Sequence, residues 1–137
     1  QASENLILSG AFGLNDMTFE DHGAYNDNRV PFAPRYTLNL AAQYNAPGGY
    51  FGRMESRSVG DTYYDEENST VMHQENYNVF NASIGMERNG FTIQVFGHNL
   101  GDERYYSNIA AISKSGNLIG GMAGSPRIFG ISLSKKF

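Results

Sequence analysis

Apolar and polar residues alternate with a period of two in six stretches of this chain, the spacing of a strand with one apolar and one polar face. From Asn5 to Phe19, Leu6, Leu8, Phe12 and Leu14 share one face, and Ser9, Ala11, Gly13 and Asn15 share the other. Arg35 to Asn45 sets Tyr36, Leu38, Leu40, Ala42 and Tyr44 against Thr37, Asn39, Ala41 and Gln43. A third strand is predicted from Tyr50 to about Tyr63, with Arg53, Glu55 and Arg57 on its odd face. A fourth, Tyr77 to Glu87, carries Phe80, Ala82, Ile84 and Met86 on its even face. The fifth, Phe91 to about Tyr106, places Phe91, Ile93 and Val95 together, but Phe96 breaks the alternation and leaves its facing open. The last, Arg127 to Phe137, aligns Phe129, Ile131, Leu133 and Phe137.

The connections alternate as well. Ala46-Pro47-Gly48-Gly49 and Asn89-Gly90 are tight-turn signals. Glu20 to Pro34, Asp65 to Asn76 and Ser107 to Ser125 are long polar stretches, although Ile109-Ala110-Ala111-Ile112 within the last reads as an upper strand end or a packed turn. In an antiparallel meander this order puts every short turn at one end and every long loop at the other, the asymmetry of outer-membrane barrels. The predicted fold is all-β, an antiparallel transmembrane β-barrel segment of about six strands with short periplasmic turns and long extracellular loops. A soluble sandwich or lipocalin-like barrel also gives alternating strands. Arg53, Glu55 and Arg57 on one face suit a wet lumen better than a dry core.

Composition supports the strands. Among 137 residues there are sixteen Gly, nine Tyr and nine Phe, and neither Trp nor Cys. That mixture is poor in helix formers, and lack of Cys removes disulfides, thiolate metal sites and thiol nucleophiles. The net charge of −4 is interspersed, which offers no basic stripe to nucleic acid. No run approaches the roughly 18 apolar residues of a spanning helix. The mean hydropathy of −0.44 is compatible with membrane strands, whose alternation keeps the average low. Gln1-Ala2-Ser3-Glu4 has no signal-peptide features, so any signal peptide is expected upstream.

Three segments carry a family resemblance: Val30-Pro31-Phe32-Ala33-Pro34-Arg35-Tyr36-Thr37-Leu38-Asn39-Leu40, then Phe96-Gly97-His98-Asn99-Leu100-Gly101-Asp102-Glu103-Arg104-Tyr105-Tyr106, and Gly124-Ser125-Pro126-Arg127-Ile128-Phe129-Gly130-Ile131-Ser132-Leu133 with the terminal Phe137. They resemble the C-terminal part of TonB-dependent outer-membrane receptors. The resemblance implies a portion, residues 1–137, of a barrel of about twenty-two strands around a plug. It also implies active import of a scarce ligand such as a ferric siderophore across the outer membrane of a Gram-negative bacterium. The implied partners are the rest of the barrel and its plug, the TonB energy-coupling complex acting through that plug, membrane lipids, and the barrel-assembly machinery, which would read Phe129, Ile131, Leu133 and Phe137. Lys135 stands where the family often has another aromatic. Six strands leave two unpaired edges, so the chain is expected to be a piece of a larger sheet. A passive porin or structural barrel without TonB coupling is the alternative.

Arg53, Glu55 and Arg57 are the candidate lumen or plug contacts, or else a ladder of pairs along the wall. Tyr63, Tyr64, Tyr105 and Tyr106 fall at the expected outer strand ends, where they form an interfacial belt or a ligand cradle. The acidic stretches Asp16 to Asp27 and Asp61 to Glu67 lack a calcium-ligand spacing, and His22, His73 and His98 are scattered, so neither metal nor cofactor is expected. No catalytic arrangement stands out, and no enzyme activity is expected.

Overall fold

The computed structural model describes residues 5–112 and 118–136. In chain order its strands are β1 (Leu6–Leu14), β2 (Tyr36–Asn45), β3 (Tyr50–Val59), β4 (Thr62–Tyr63), β5 (His73–Gln74), β6 (Tyr77–Arg88), β7 (Phe91–His98), β8 (Tyr106–Ala111), β9 (Ile119–Ala123) and β10 (Ile128–Lys135). Six of them build one antiparallel sheet in the order β1-β2-β3-β6-β7-β10, while β4 pairs with β5 and β8 with β9 inside the loops.

The register lines up one kind of residue on each face. Leu8 lies opposite Ala42, Ala42 opposite Met54, Met54 opposite Ala82, Ala82 opposite Gly97 and Gly97 opposite Phe129. The row behind it runs from Ser9 through Ala41 and Glu55 to Asn81. A slip of one residue anywhere would exchange the faces of that strand. Nothing covers the apolar face: Phe12, Met54, Ile84, Phe129 and Leu133 are exposed, and Ile131 is 73% exposed. Val59 and Ile109 are the buried hydrophobics among the described residues. A sandwich would bury one face of this sheet against a second layer. An uncovered apolar face of this extent needs lipid as its solvent.

The facing of Phe96, open from the sequence, is now decided. Phe96 pairs with Ser83 and Gly130, on the polar side, and its ring lies across Gly130 so closely that a Cβ there would be 2.3 Å from a ring carbon. Phe51 covers Gly85 in the same way, at 2.4 Å. Each aromatic fills the gap its glycine partner leaves, so both exceptions to the alternation belong to the wall.

Both short turns form as expected. Gly48 and Gly49 have φ of 86° and 88°, and Asn89-Gly90 have φ of 52° and 76°, the left-handed pair that a two-residue hairpin requires. Three strand ends differ from the expectation. β1 stops at Leu14 rather than reaching Phe19, because the Arg29 guanidinium takes the Asn15 carbonyl at 3.2 Å and the ladder survives beyond it only as a Thr18–Arg29 bridge. β3 stops at Val59 rather than Tyr63: Tyr36 covers Gly60, and Thr62 Oγ1 donates to the Gly60 carbonyl at 3.2 Å. β7 stops at His98 rather than Tyr106, since Asn99 turns left-handed at φ 49°. Ile109 to Ala111 is neither an upper strand end nor a turn, but part of β8 in a loop hairpin, with Ile109 5% exposed.

Candidate functional site

The polar face of β3 is the charged part of the wall. Arg53 donates through Nε to Glu55 Oε1 at 2.7 Å and through Nη1 to Gln43 Oε1 on β2 at 3.2 Å. This ion pair runs along one strand, two residues apart, and the neighbour across the sheet contributes an amide. The side chain of Arg57, a residue opposite Asn39 and Val79, makes no ion pair or hydrogen bond among the described residues. Of the cross-strand ladder that is one reading of these three residues, the described residues show the Arg53–Gln43 contact, while the Arg53–Glu55 ion pair stays on one strand.

The tyrosines are not at the ends of wall strands, because β3 and β7 end earlier than the pattern predicted. They sit in the loops and pack there. Tyr63, in β4, stacks on His73 with centroids 4.5 Å apart, and His73 Nε2 is buried without a hydrogen-bond partner among the described residues. Tyr64 meets Phe32 edge-on at 5.5 Å, and its hydroxyl donates to the Tyr106 carbonyl at 3.4 Å. Partial burial raises the Tyr64 phenol above its ordinary value of 10.0. Tyr106 is 49% exposed, and its N–H donates to Gln74 Oε1 at 2.7 Å. Tyr105 lies flat on Tyr77 of β6, at 4.1 Å and 11°, with its ring over Gly124.

Asparagines fix the loops, a role the sequence did not reveal. Asn99 is 2% exposed. Its Nδ2 donates to the carbonyls of Glu103 and Ser125, both at 2.9 Å, and its Oδ1 accepts the Glu103 N–H at 2.9 Å. One side chain thus ties the beginning of the third loop to its end. Asn68 does the same between loops: Oδ1 accepts the Arg29 N–H at 2.7 Å and Nδ2 donates to the Arg29 carbonyl at 2.9 Å, a side-chain copy of a two-point strand pairing. Asn28 Nδ2 adds a bond to the Glu66 carbonyl at 2.7 Å, and His22 approaches Glu66 at 3.5 Å. The signal in the sequence was Asn at positions of left-handed backbone, φ 53° at Asn68 and 49° at Asn99.

Below this cap the polar face holds shallow recesses. One of about 250 Å³ lies among Arg53, Glu55, Asn81, Ser83, Phe96 and His98. Another, of about 220 Å³, brings Arg57 together with Tyr77, His98, Asn99, Tyr105 and Ser125 at the loop end of the wall. Among the described residues no three His, Cys, Asp or Glu side chains are placed to hold a metal ion. The Phe129, Ile131 and Leu133 row lies on the apolar face as expected, with Lys135 Nζ 4.9 Å above the Phe91 ring; Phe137 lies outside the described residues.

Residues 4–100 match the family model described as TonB dependent receptor-like, beta-barrel. The chain belongs to this family. Its members are outer-membrane β-barrel proteins of Gram-negative bacteria and are receptors, not enzymes. Solved structures agree on the fold. The ferric yersiniabactin uptake receptor from Yersinia pestis superposes with a TM-score of 0.84 at 22% identity, covering 97% of this chain and 21% of that one. A ferric citrate transporter gives 0.82 at 18% identity, with 97% and 21% covered. A siderophore receptor from Acinetobacter baumannii gives 0.77 at 15% identity, with 97% and 20% covered. The chain thus spans about a fifth of the length of these receptors.

Proposed function

We propose that residues 1–137 are the C-terminal portion of the barrel wall of a receptor that actively imports a scarce ligand, a ferric chelate, across the outer membrane. The observation that carries this reading is the family match over residues 4–100, in a sheet with one lipid-compatible face and one polar face. The ferric-chelate class is supported by the solved receptors that share the fold, whose own cargoes include ferric yersiniabactin and ferric citrate. In this reading β1 and β10, the edges of the sheet, pair with the remaining strands of the barrel. The polar face lines the lumen, where Arg53, Glu55 and Arg57 meet the plug or the passing ligand, and the plug couples to TonB. Tyr63, Tyr64, Tyr105 and Tyr106 line the outer vestibule as ligand contacts. Phe129, Ile131 and Leu133 present the alternating apolar face to the barrel-assembly machinery during insertion and to lipid afterwards, and Phe137 belongs to the same assembly signal.

The test is uptake of radioiron-labelled ferric citrate and ferric yersiniabactin by cells carrying the full-length gene. Uptake that stops when TonB is deleted or the proton gradient is collapsed is the expected result. Uptake that persists under both treatments, or a gene with no plug domain of roughly 100 residues ahead of the barrel, points instead to a passive porin.

A further inference from the structure

One surface of this wall keeps the same neighbour whatever completes the barrel. Further strands extend the sheet sideways and a plug fills the lumen, but the apolar face meets lipid. Along that face the rows change character towards the short turns. Ile84, Val95 and Ile131 form one row and Met86, Ile93 and Leu133 the next, and the last consists of Arg88, Phe91 and Lys135, on β6, β7 and β10. The ladder holds this last row in place, since the Glu87 N–H donates to the Gly49 carbonyl and the Lys136 N–H to the Gly90 carbonyl, both at 2.8 Å. All three residues are exposed. Lys135 Nζ stands over the Phe91 ring, 4.9 Å from its centre, so the ammonium sits on the middle member of the row. Two strand spacings of about 4.8 Å put the Arg88 and Lys135 backbones about 10 Å apart, a gap that two long side chains can close from either side.

We propose that Arg88, Phe91 and Lys135 form a head-group site for an anionic glycerophospholipid of the periplasmic leaflet, with the lipid phosphodiester held between guanidinium and ammonium. The site goes beyond the import reading and does not depend on what is imported. Its depth fits. Two residues of strand advance about 7 Å, or about 5 Å along the membrane normal at a tilt near 45°, so the cations lie about 5 Å past the last apolar row. The head-group layer on each side of the hydrocarbon core is roughly 5–8 Å thick, which places them inside it. Its charge fits as well. Around the two short turns the charged side chains of the described residues are Arg88, Lys135, Lys136 and Glu87, an excess of cations in a chain of net charge −4. Glu87, opposite Thr92, faces the lumen instead. Guanidinium grips a phosphate as a planar fork and ammonium as a point charge, while the Phe91 ring holds the ammonium over the row. A zwitterionic lipid brings its own ammonium against the same two cations, so phosphatidylglycerol fits better than phosphatidylethanolamine.

The experiment uses the full-length receptor in vesicles of mixed phosphatidylethanolamine and phosphatidylglycerol. A trace of one lipid or the other carries a diazirine near the ester end of an acyl chain, and photo-crosslinks are mapped by peptide mass spectrometry. Per probe lipid, labelling of residues 86–93 and 131–136 is expected to be at least about tenfold greater from phosphatidylglycerol than from phosphatidylethanolamine. Arg88→Gln and Lys135→Gln should each lower that preference about fivefold, the effect of about 1 kcal/mol per cation near an anionic leaflet, and the double variant should abolish it. Arg88→Lys should keep most of it. Lys136→Gln removes the same charge from a position that continues the ladder opposite Gly90, on the lumen side, and should leave the preference within about twofold. Heat-dependent gel mobility verifies that each variant is folded. Equal labelling by the two probes in the wild type overturns the proposal. So does a loss in Lys136→Gln as large as in Arg88→Gln, which reduces the effect to overall charge. Labelling confined to the Met86, Ile93 and Leu133 row overturns it too, since both cations then lie clear of the head groups, open to an acidic periplasmic protein.

Discussion

Replacing Asn99 with alanine should free the third loop while leaving the wall intact. The side chain makes three hydrogen bonds of 2.9 Å from a nearly sealed position, two to carbonyls and one from the Glu103 N–H. At a net value of about 1 kcal/mol each, their loss removes about 3 kcal/mol from the state in which Asn99 ties Glu103 to Ser125. Alanine at φ 49° adds roughly 1 kcal/mol more. Water reaching the freed carbonyls recovers part of this, so we take about 3 kcal/mol as the expected effect, or about a hundredfold in local opening. Hydrogen exchange on the full receptor reads it directly. The Glu103, Ile112 and Gly124 amides, which donate to Asn99 Oδ1, Leu118 O and Tyr105 O respectively, should exchange about a hundredfold faster. Amides within β6 and β7 should not change. Asn99→Gly should be milder than alanine by about 1 kcal/mol, because it relieves the backbone but not the hydrogen bonds. Asn99→Asp should be as damaging as alanine, since it trades the Nδ2 donor for a carboxylate facing two carbonyls. Loop protection in Asn99→Ala within threefold of the wild type, or glycine as harmful as alanine, would refute this account.

Asn68→Ala should uncouple the first and second loops, raising exchange at the Arg29 amide by at least tenfold while the third loop keeps its protection, because only Asn68 supplies that two-point pairing. On the wall, Ile131→Arg should lower folding stability in vesicles by about 2–4 kcal/mol, and its neighbour Ser132→Arg by less than about 1 kcal/mol, as one faces lipid and the other the lumen; equal costs would show the facing to be wrong. Gly130→Ala should cost about 1–3 kcal/mol by driving a Cβ into the Phe96 ring, and Phe96→Ala in the same chain should recover part of it, as a double-mutant cycle on urea unfolding will show.

Hydrophobic alternation and turn chemistry were sufficient to place the six wall strands in order and to assign faces in all but the fifth. A period of two assigns each side chain a face without reference to any partner, and Gly48-Gly49 and Asn89-Gly90 prescribe their own backbone. The family resemblance was legible for a similar reason, since it lies in local strings at strand ends. The strand limits near Leu14, Val59 and His98 were not legible, because each is set by a residue distant in sequence: Arg29 on the Asn15 carbonyl, Tyr36 over Gly60, and Ser125 on Asn99. The same holds for the site. That Arg53, Glu55 and Arg57 share a face follows from their spacing, but that Arg53 bonds Glu55 while Arg57 lines a recess with Tyr77 and Tyr105 depends on rotamers and on a loop folding back over the sheet. Sequence periodicity determines direction; only the tertiary structure decides which of the side chains pointing the same way touch.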